Sequence, residues 1–348
     1  MSRFPLSRRS MLMGAAAAGA TLAAPSVLRA QSSRVIVGAW GGDYERLLKS
    51  AVNPKTQESG VDLVIDTGNA TSRKTKMITA LRVGGGAMDV SCLSNSDMHQ
   101  MSVAGALKQV DELDLTRQDK IFPQFAKPYS IPHIYSAMTI IYDRSQVDTP
   151  PTSIKDLWTE EYLGKVGFSD ILFNYYLVIA AATFGKNGND FAAAKAAYDE
   201  YKKKSGGVRV YSSNEAIANA FNAKEIKATI MWKARAFQWR KAGLDLVAVA
   251  PSEGALPVVF EAGCTSFASN VKGAAVTLDA MLDPELQLKF AEAMGYLPTV
   301  SDAPIPEKMR EDLGFTDAER ENFILPDLDY IAKEQSETLV WWNQSFKA

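Results

Sequence analysis

The sequence contains little histidine or cysteine and none of the short motifs typical of common catalytic sites. Among 348 residues there are two histidines, His99 and His133, and two cysteines, Cys92 and Cys264. They form no closely spaced set that could ligate a metal. A G-x-S-x-G elbow, a P-loop and a dinucleotide-binding G-x-G-x-x-G are also missing. The sequence therefore predicts no metal, no cofactor and no catalytic residue.

A surplus of basic charge and a long apolar run are missing as well. The chain has 38 basic and 40 acidic residues, a net charge of −2, which argues against nucleic acid as a partner. The longest apolar run, residues 13–24, is well short of the roughly 20 residues that a spanning helix needs. We expect no membrane span. A content of 47% hydrophobic and 22% charged residues suits a chain with two ordinary globular cores.

The first thirty residues have the pattern of an export signal. Arg8 and Arg9 precede the apolar run, and residues 25–30 end in the small residue Ala30. We predict a twin-arginine signal peptide over 1–30, cleaved near Ala30, and a periplasmic protein; a membrane anchor is the alternative. Cleavage removes four arginines and no acid, leaving a net charge of about −6. In that compartment the two cysteines could pair, although separate buried thiols are favoured.

Strand and helix patterns alternate along the rest of the chain. This order predicts parallel sheets covered by helices. Two long extended runs, 131–142 and 258–269, bracket the middle third, as expected of a chain that crosses to a second lobe and returns. Ligands of open α/β sheets bind beyond the carboxyl ends of strands. The stretch 38–44, GAWGGDY, follows the first strand and should lie at the mouth of a cleft between the lobes.

Seven short motifs occur in order along the chain: WGGDY at 40–44, GGGAMDV at 84–90, MSVAGAL at 101–107, SIKDLW at 153–158, YLGKV at 162–166, PSEGA at 251–255 and GYLPT at 295–299. Together they resemble the solute-binding proteins of ABC importers, in the branch that includes spermidine- and putrescine-binding proteins. The resemblance implies an α/β fold of the two-lobed periplasmic-binding-protein type (type II), whose two crossover strands form a hinge. It implies no enzyme activity, a small-molecule solute and a permease in the inner membrane; we expect a monomer.

The same resemblance sets the expected domain boundaries. Lobe 1 comprises 31–136 plus 264–300, lobe 2 comprises 137–263, and residues 301–348 form C-terminal helices that pack on the lobes.

The family's ligand-binding positions fall on a defined set of residues. Aromatic rings attract ammonium groups, glycines allow close approach of the backbone, and hydroxyl, amide and charged groups orient a polar solute. The expected ligand-binding residues are Trp40, Gly41, Gly42, Tyr44, Ser94, Asn95, Ser96, Tyr135, Asp170, Asn174, Trp232, Arg235 and Glu261.

The acids of polyamine binders are only partly present. Ile171 and Asn174 stand where carboxylates are expected, and Lys233 and Arg235 follow Trp232. We therefore expect a small amine- or carboxylate-bearing solute, amino-acid-like before polyamine-like. Polyamine binding, an exported enzyme with an unrecognised active site, and a chemosensing role remain alternatives.

Overall fold

The computed structural model describes residues 33–348, which form one compact α/β unit. The predicted signal peptide and the alternative anchor lie outside the described residues. The strands are β1 Ser33–Ala39, β2 Val61–Thr67, β3 Val90–Ser94, β4 Ile131–Asp143, β5 Val166–Ser169, β6 Arg209–Tyr211, β7 Ala228–Trp232, β8 Leu246–Val249, β9 Leu256–Cys264 and β10 Leu297–Pro298.

Helices separate most of these strands. In chain order the α-helices are α1 Asp43–Leu47, α2 Asn53–Gln57, α3 Ala70–Val83, α4 Asn95–Val103, α5 Phe173–Phe184, α6 Phe191–Ser205, α7 Asn214–Asn222, α8 Lys233–Lys241, α9 Val271–Met281, α10 Pro284–Met294, α11 Glu307–Leu313, α12 Asp317–Glu321 and α13 Leu328–Trp341. Short 3₁₀ turns lie at Val110–Glu112, Gln118–Lys120, Pro123–Phe125, Ile154–Trp158 and Asp170–Leu172, and π-helical turns at Leu48–Val52 and Trp342–Phe346.

The strands form two parallel groups joined through an antiparallel centre. Strand order is β2-β1-β3-β9-β4-β7-β5-β6, with β8 and β10 also paired to β4. The pairs β1/β2, β1/β3, β5/β6 and β5/β7 are parallel, whereas β4 and β9 pair antiparallel with each other and with their flanking strands. Thus β4 and β9 are the two extended runs expected from the sequence, and they connect the two parallel groups. The residue boundaries of the lobes remain a prediction.

Two details of the helices differ from what the sequence pattern predicts, which is Thr71 as the cap of the helix containing Met77 and one helical stretch over 271–294. The cap of α3 is Asn69, whose side chain accepts from the Ser72 N–H, and not Thr71. The helical stretch 271–294 is two helices, because Asp283 caps α10 and Pro284 is its first residue, where a proline fits and a preceding helix ends.

The C-terminal helix α13 contacts helices that belong to both parallel groups of strands. Helix α13 contacts α4, which follows β3, and α5, which follows β5. Cys92 on β3 and Cys264 on β9 are free, buried thiols. The sequence-based preference for separate thiols over a disulfide is therefore confirmed.

Candidate functional site

A cavity of about 430 Å³ lies where strands of both parallel groups end. Its walls come from the turn after β1, the start of α7, the end of β7 with the first turn of α8, and the crossover strands β4 and β9. This is the position expected for a ligand in an open α/β sheet. The lining residues are Trp40, Gly41, Gly42, Asp43, Tyr44, Ile134, Ile171, Asn214, Glu215, Trp232, Arg235, Gln238, Phe260, Met294 and Tyr296.

The turn after β1 is shaped by one glycine. Gly42 precedes α1 with φ of 68°, a left-handed conformation that costs little only for glycine. The sharp turn leaves Trp40 on the cavity wall and buries Tyr44, whose hydroxyl lies 2.8 Å from His133 Nδ1. Tyr44 therefore offers the cavity its ring, while its hydroxyl is occupied.

Aromatic rings form a continuous wall across the cavity. The ring centroid of Phe260 lies 5.0 Å from that of Trp40, 5.0 Å from that of Tyr296 and 6.3 Å from that of Trp232, all edge to face. Such packing is favourable for aromatic pairs and holds the rings in place. The wall thus presents a preorganised apolar surface contributed by four different segments of the chain.

Arg235 is the cation that lines the cavity. Its Nη1 donates to Gln238 Oε1 at 2.6 Å, and Gln238 in turn donates to the Met294 carbonyl at 2.7 Å. Lys233 turns away from the cavity: its Nζ donates to the Gly314 carbonyl at 2.6 Å and lies 5.0 Å from the centre of the Phe315 ring. The two cations are only two positions apart in the sequence, yet their side chains point in different directions and only Arg235 lines the cavity.

Three buried polar atoms of the wall have no hydrogen-bond partner within the described residues. They are the donors Trp232 Nε1 and Arg235 Nε and the acceptor Asn214 Oδ1. Burial raises the pKa of Tyr296, while the charge of Arg235 and the Trp232 side chain lower it. The Tyr296 hydroxyl therefore lies close to Arg235 and to the Trp232 N–H. Buried polar groups are nearly always satisfied, and the residues that carry these three atoms line the cavity.

Carboxylates are few at this site. Asp43 pairs with Arg46 at 2.9 Å, and Glu215 is exposed at the rim. Among residues 33–348 no carboxylate forms an ion pair with Arg235. The guanidinium is therefore free to bind a ligand anion.

Two acids expected at the site lie outside this cavity. Asp170 accepts hydrogen bonds from Trp342 Nε1 at 2.7 Å and from Lys347 Nζ at 2.8 Å. Burial acts to raise the pKa of Asp170, but these hydrogen bonds bring it below its usual value. Asp170 thus anchors the C-terminal segment.

Glu261 points to the other side of β9. It follows Phe260 in the strand, and successive side chains of a strand face opposite ways. Its carboxylate accepts from Ser130 Oγ at 2.6 Å and lines a separate cavity of about 90 Å³ with Lys127 and Asn95. Burial raises the pKa of Glu261 to about 7, which Ser130 and Lys127 act to lower.

Five further expected residues do not line the main cavity. Ser94 caps α4 by accepting from the Asp97 N–H at 3.3 Å, and Ser96 is half-buried in that helix's first turn. Asn95 accepts from Tyr175 Oη at 3.4 Å, and Asn174 has a buried Oδ1 without a partner. Tyr135 packs against Phe125 at 4.7 Å between ring centroids.

Several residues of the cavity wall were not among the predicted ligand-binding residues. Tyr296 belongs to the motif at 295–299 and could have been found there, since the motif was recognised. Phe260 needed the strand register, in which it pairs with Ser94. Asn214 and Glu215 begin a helix behind the capping residue Ser213, a signal that predicts a helix start and nothing about a ligand.

A two-lobed scaffold with an aromatic cavity beside two crossover strands defines a solute-binding protein. The chain belongs to the family of bacterial extracellular solute-binding proteins, whose model matches residues 50–316.

Individual relatives support this assignment. A spermidine/putrescine-binding periplasmic protein of Salmonella typhimurium is 27% identical over 288 residues, 80% of each chain. A crystal structure of an ABC transporter from Clostridium perfringens matches with a TM-score of 0.77 and 23% identity, over 90% of this chain and 99% of that one. The Atu4243-GABA receptor matches with a TM-score of 0.76 and 18% identity, over 91% and 98%. The predicted family and the type II two-lobed fold are confirmed.

Among residues 33–348 no group of three or more histidine, cysteine, aspartate or glutamate residues could hold a metal ion. No helix in that range has the length and apolar character to cross a membrane.

Proposed function

We propose that the protein captures a small zwitterion, an amino-acid-like solute with one carboxylate and one ammonium group, in the aromatic cavity. The observation that carries this proposal is the set of unpartnered donors Trp232 Nε1 and Arg235 Nε beside the Tyr296 hydroxyl. A buried donor left without an acceptor costs about 1–3 kcal/mol. A bound carboxylate would accept from all three groups, and arginine suits such contact.

The ammonium end has matching acceptors. Asn214 Oδ1 is buried and unpartnered, and Glu215 beside it is a carboxylate at the rim. The ring of Phe260 would attract an ammonium group by about 0.5–2 kcal/mol. One carboxylate at the rim and one free arginine suit a solute with no net charge better than a di- or trication.

Binding would proceed by hinge bending at β4 and β9, a motion known for periplasmic binding proteins. Closure would bring Trp40 and Trp232 onto opposite sides of the solute, and no bond is made or broken. The bound form is then delivered to a permease in the inner membrane. The processed chain acts as a monomer in the periplasm after twin-arginine export and cleavage near Ala30.

The polyamine alternative rests on the names of relatives such as the Salmonella typhimurium protein. The Atu4243-GABA receptor carries a different solute in its name on the same fold. Relatives of this fold thus differ in cargo, so the choice between the two solute classes depends on the cavity of this chain.

Calorimetric titration of the processed chain with matched compounds tests the proposal. 4-Aminobutyrate and putrescine each have a chain of four carbon atoms, whose last carbon is the carboxylate in 4-aminobutyrate and carries the second ammonium group in putrescine; chain lengths of three to six carbons extend each series. We expect the zwitterions to bind at least about tenfold tighter than the diamines of equal length. Tighter binding of diamines throughout the series would overturn the proposal and favour a polyamine receptor.

A further inference from the structure

A buried arginine lies directly behind the cavity wall. Arg73 on α3 is 1% exposed, and its guanidinium carbon lies 4.5 Å from the centroid of the Trp40 ring. Arg73 does not line the cavity, whereas the Trp40 ring that it contacts does. Its Nη1 donates to the Ala39 carbonyl at 2.9 Å and to the Gly68 carbonyl, while Nε and Nη2 have no partner within residues 33–348.

The charge of Arg73 is not neutralised by an ion pair. The two nearby carboxylates are engaged elsewhere: Asp97 with Lys74 Nζ at 2.5 Å and Asp66 with Lys76 Nζ at 2.5 Å. Burial lowers the pKa of Arg73, yet a guanidinium stays protonated in proteins. A full positive charge therefore remains behind Trp40.

The chain makes room for this side chain. A Cβ added at Gly38 would lie 2.6 Å from Met88 Sδ and 3.1 Å from Arg73 Cδ. The missing side chain at position 38 of β1 thus leaves the channel through which the arginine stem reaches the back of Trp40. Burying an unpaired charge costs free energy. A neutral side chain would fill the same space without that cost, which argues for a role of the charge itself.

We propose that Arg73 is a specificity-determining residue, whose buried guanidinium acts through the Trp40 ring to favour carboxylate-bearing solutes and disfavour dicationic amines. The inference rests on the proposed function, because it explains how the same cavity tells the two solute classes apart. Arg73 works by position and charge and makes no contact with the solute.

The physical basis has two parts. The Trp40 ring already attracts one cation, so a second cation on the cavity side gains less from the ring and is repelled by the first. The repulsion between two unit charges about 8 Å apart lowers affinity by a factor of roughly 2 to 30, for an effective dielectric constant between that of water and that of a protein surface. The guanidinium carbon of Arg235 lies 5.7 Å from the centroid of the Trp232 ring. Each of the two cavity tryptophans therefore has an arginine side chain next to its ring.

The decisive measurement is the ratio of affinities for 4-aminobutyrate and putrescine in three variants. Arg73→Gln removes the charge, Arg73→Lys keeps it, and Arg82→Gln removes an exposed charge on the same helix. We expect Arg73→Gln to lower the preference for the zwitterion by about tenfold, with Arg73→Lys retaining most of it and Arg82→Gln all of it. An unchanged ratio in folded Arg73→Gln would overturn the inference.

The same titrations separate the two proposals. If wild-type protein itself prefers putrescine, the proposed function fails. If wild-type protein prefers 4-aminobutyrate and Arg73→Gln keeps that preference, only the role of Arg73 fails. A loss of affinity for both compounds by the same factor, with no change in ratio, would reduce Arg73 to a structural residue.

A second measurement requires neither a known solute nor a folded Arg73 variant. In Arg235→Gln protein, the fluorescence that depends on Trp40 is obtained by difference from the same protein carrying Trp40→Phe. Iodide quenches free indole more efficiently than caesium does, so the ratio of the two quenching constants is compared with that of N-acetyltryptophanamide. We expect a higher iodide-to-caesium ratio for Trp40, since the charge behind the ring attracts anions. An equal or lower ratio would contradict the inference.

Discussion

The indole nitrogen of Trp342 donates a hydrogen bond of 2.7 Å to Asp170, and Lys347 Nζ lies 2.8 Å from the same carboxylate oxygen. Trp342 is fully buried. A residue of the middle third of the chain therefore holds the C-terminal segment by one charge-assisted hydrogen bond and one ion pair. This use of Asp170 excludes it from holding a solute in the main cavity at the same time.

Asp170→Asn should destabilise the protein without altering solute binding. The change removes the charge that Trp342 and Lys347 contact, and we expect a loss of about 1 kcal/mol, limited because the ion pair is partly exposed. Urea unfolding and calorimetric titration measure the two effects, with Asp148→Asn, an exposed acid, as the control. A large loss of affinity with unchanged stability would return Asp170 to the solute site.

Replacing the cavity tryptophans should weaken solute binding. Trp40→Ala and Trp232→Ala each remove a ring that lines the cavity, and a loss of roughly tenfold or more in affinity is expected. Trp232→Phe keeps a ring and removes only the N–H, so it should lose less. The solute-dependent change in tryptophan fluorescence should persist in Trp341→Phe, a substitution outside the cavity. Unaltered affinity in both alanine variants would remove these residues from the site.

Arg235→Gln should weaken binding of carboxylates far more than Lys233→Gln does. The two cations are separated by one residue, but Arg235 lines the cavity whereas Lys233 donates to the Gly314 carbonyl. Loss of a charged hydrogen bond of about 1.5–3 kcal/mol corresponds to a drop of about 10- to 150-fold. Titration with 4-aminobutyrate measures it. Equal effects of the two substitutions would show that general positive charge, and not a specific contact, holds the anion.

Glu261 should make stability depend on pH. Its pKa rises from an ordinary value of 4.5 to about 7 in the folded protein because the carboxyl is buried. Between these values the folded protein keeps a proton that the unfolded chain releases, so stability falls as pH rises, by up to roughly 3 kcal/mol from this group. Urea unfolding at pH 5 and pH 8 should show a smaller decrease for Glu261→Gln than for wild type. Parallel decreases in the two proteins would contradict this assignment.

The alternation of strands and helices made most of the fold predictable. The short apolar run at 228–231 predicts a strand, and the longer stretch 233–242 predicts a helix. The structure has β7 and α8 at these positions. The two long extended runs became β4 and β9. The break at Asp283 and Pro284 was missed because both flanking helices keep the same apolar period.

The cavity residues that were predictable lie at or directly after the ends of strands. Trp40, Trp232 and Arg235 lie at strand ends, which topology brings to one edge, and the structure places all three on the cavity wall. Glu261 and Phe260 are neighbours in sequence, yet they face opposite sides of β9, and a shift of one residue in register decides which of them meets the solute. Arg73 carried no local signal, since its position depends on Gly38 and Trp40 in another element.

The most direct test is a crystal structure of the processed protein with 4-aminobutyrate, or with whatever solute it retains on purification. The account predicts density in the cavity between Trp40 and Trp232, with the anionic end on Arg235 and the Trp232 N–H. Density for a polyamine with an ammonium group on Glu261, or an empty aromatic cavity with solute bound elsewhere, would contradict it.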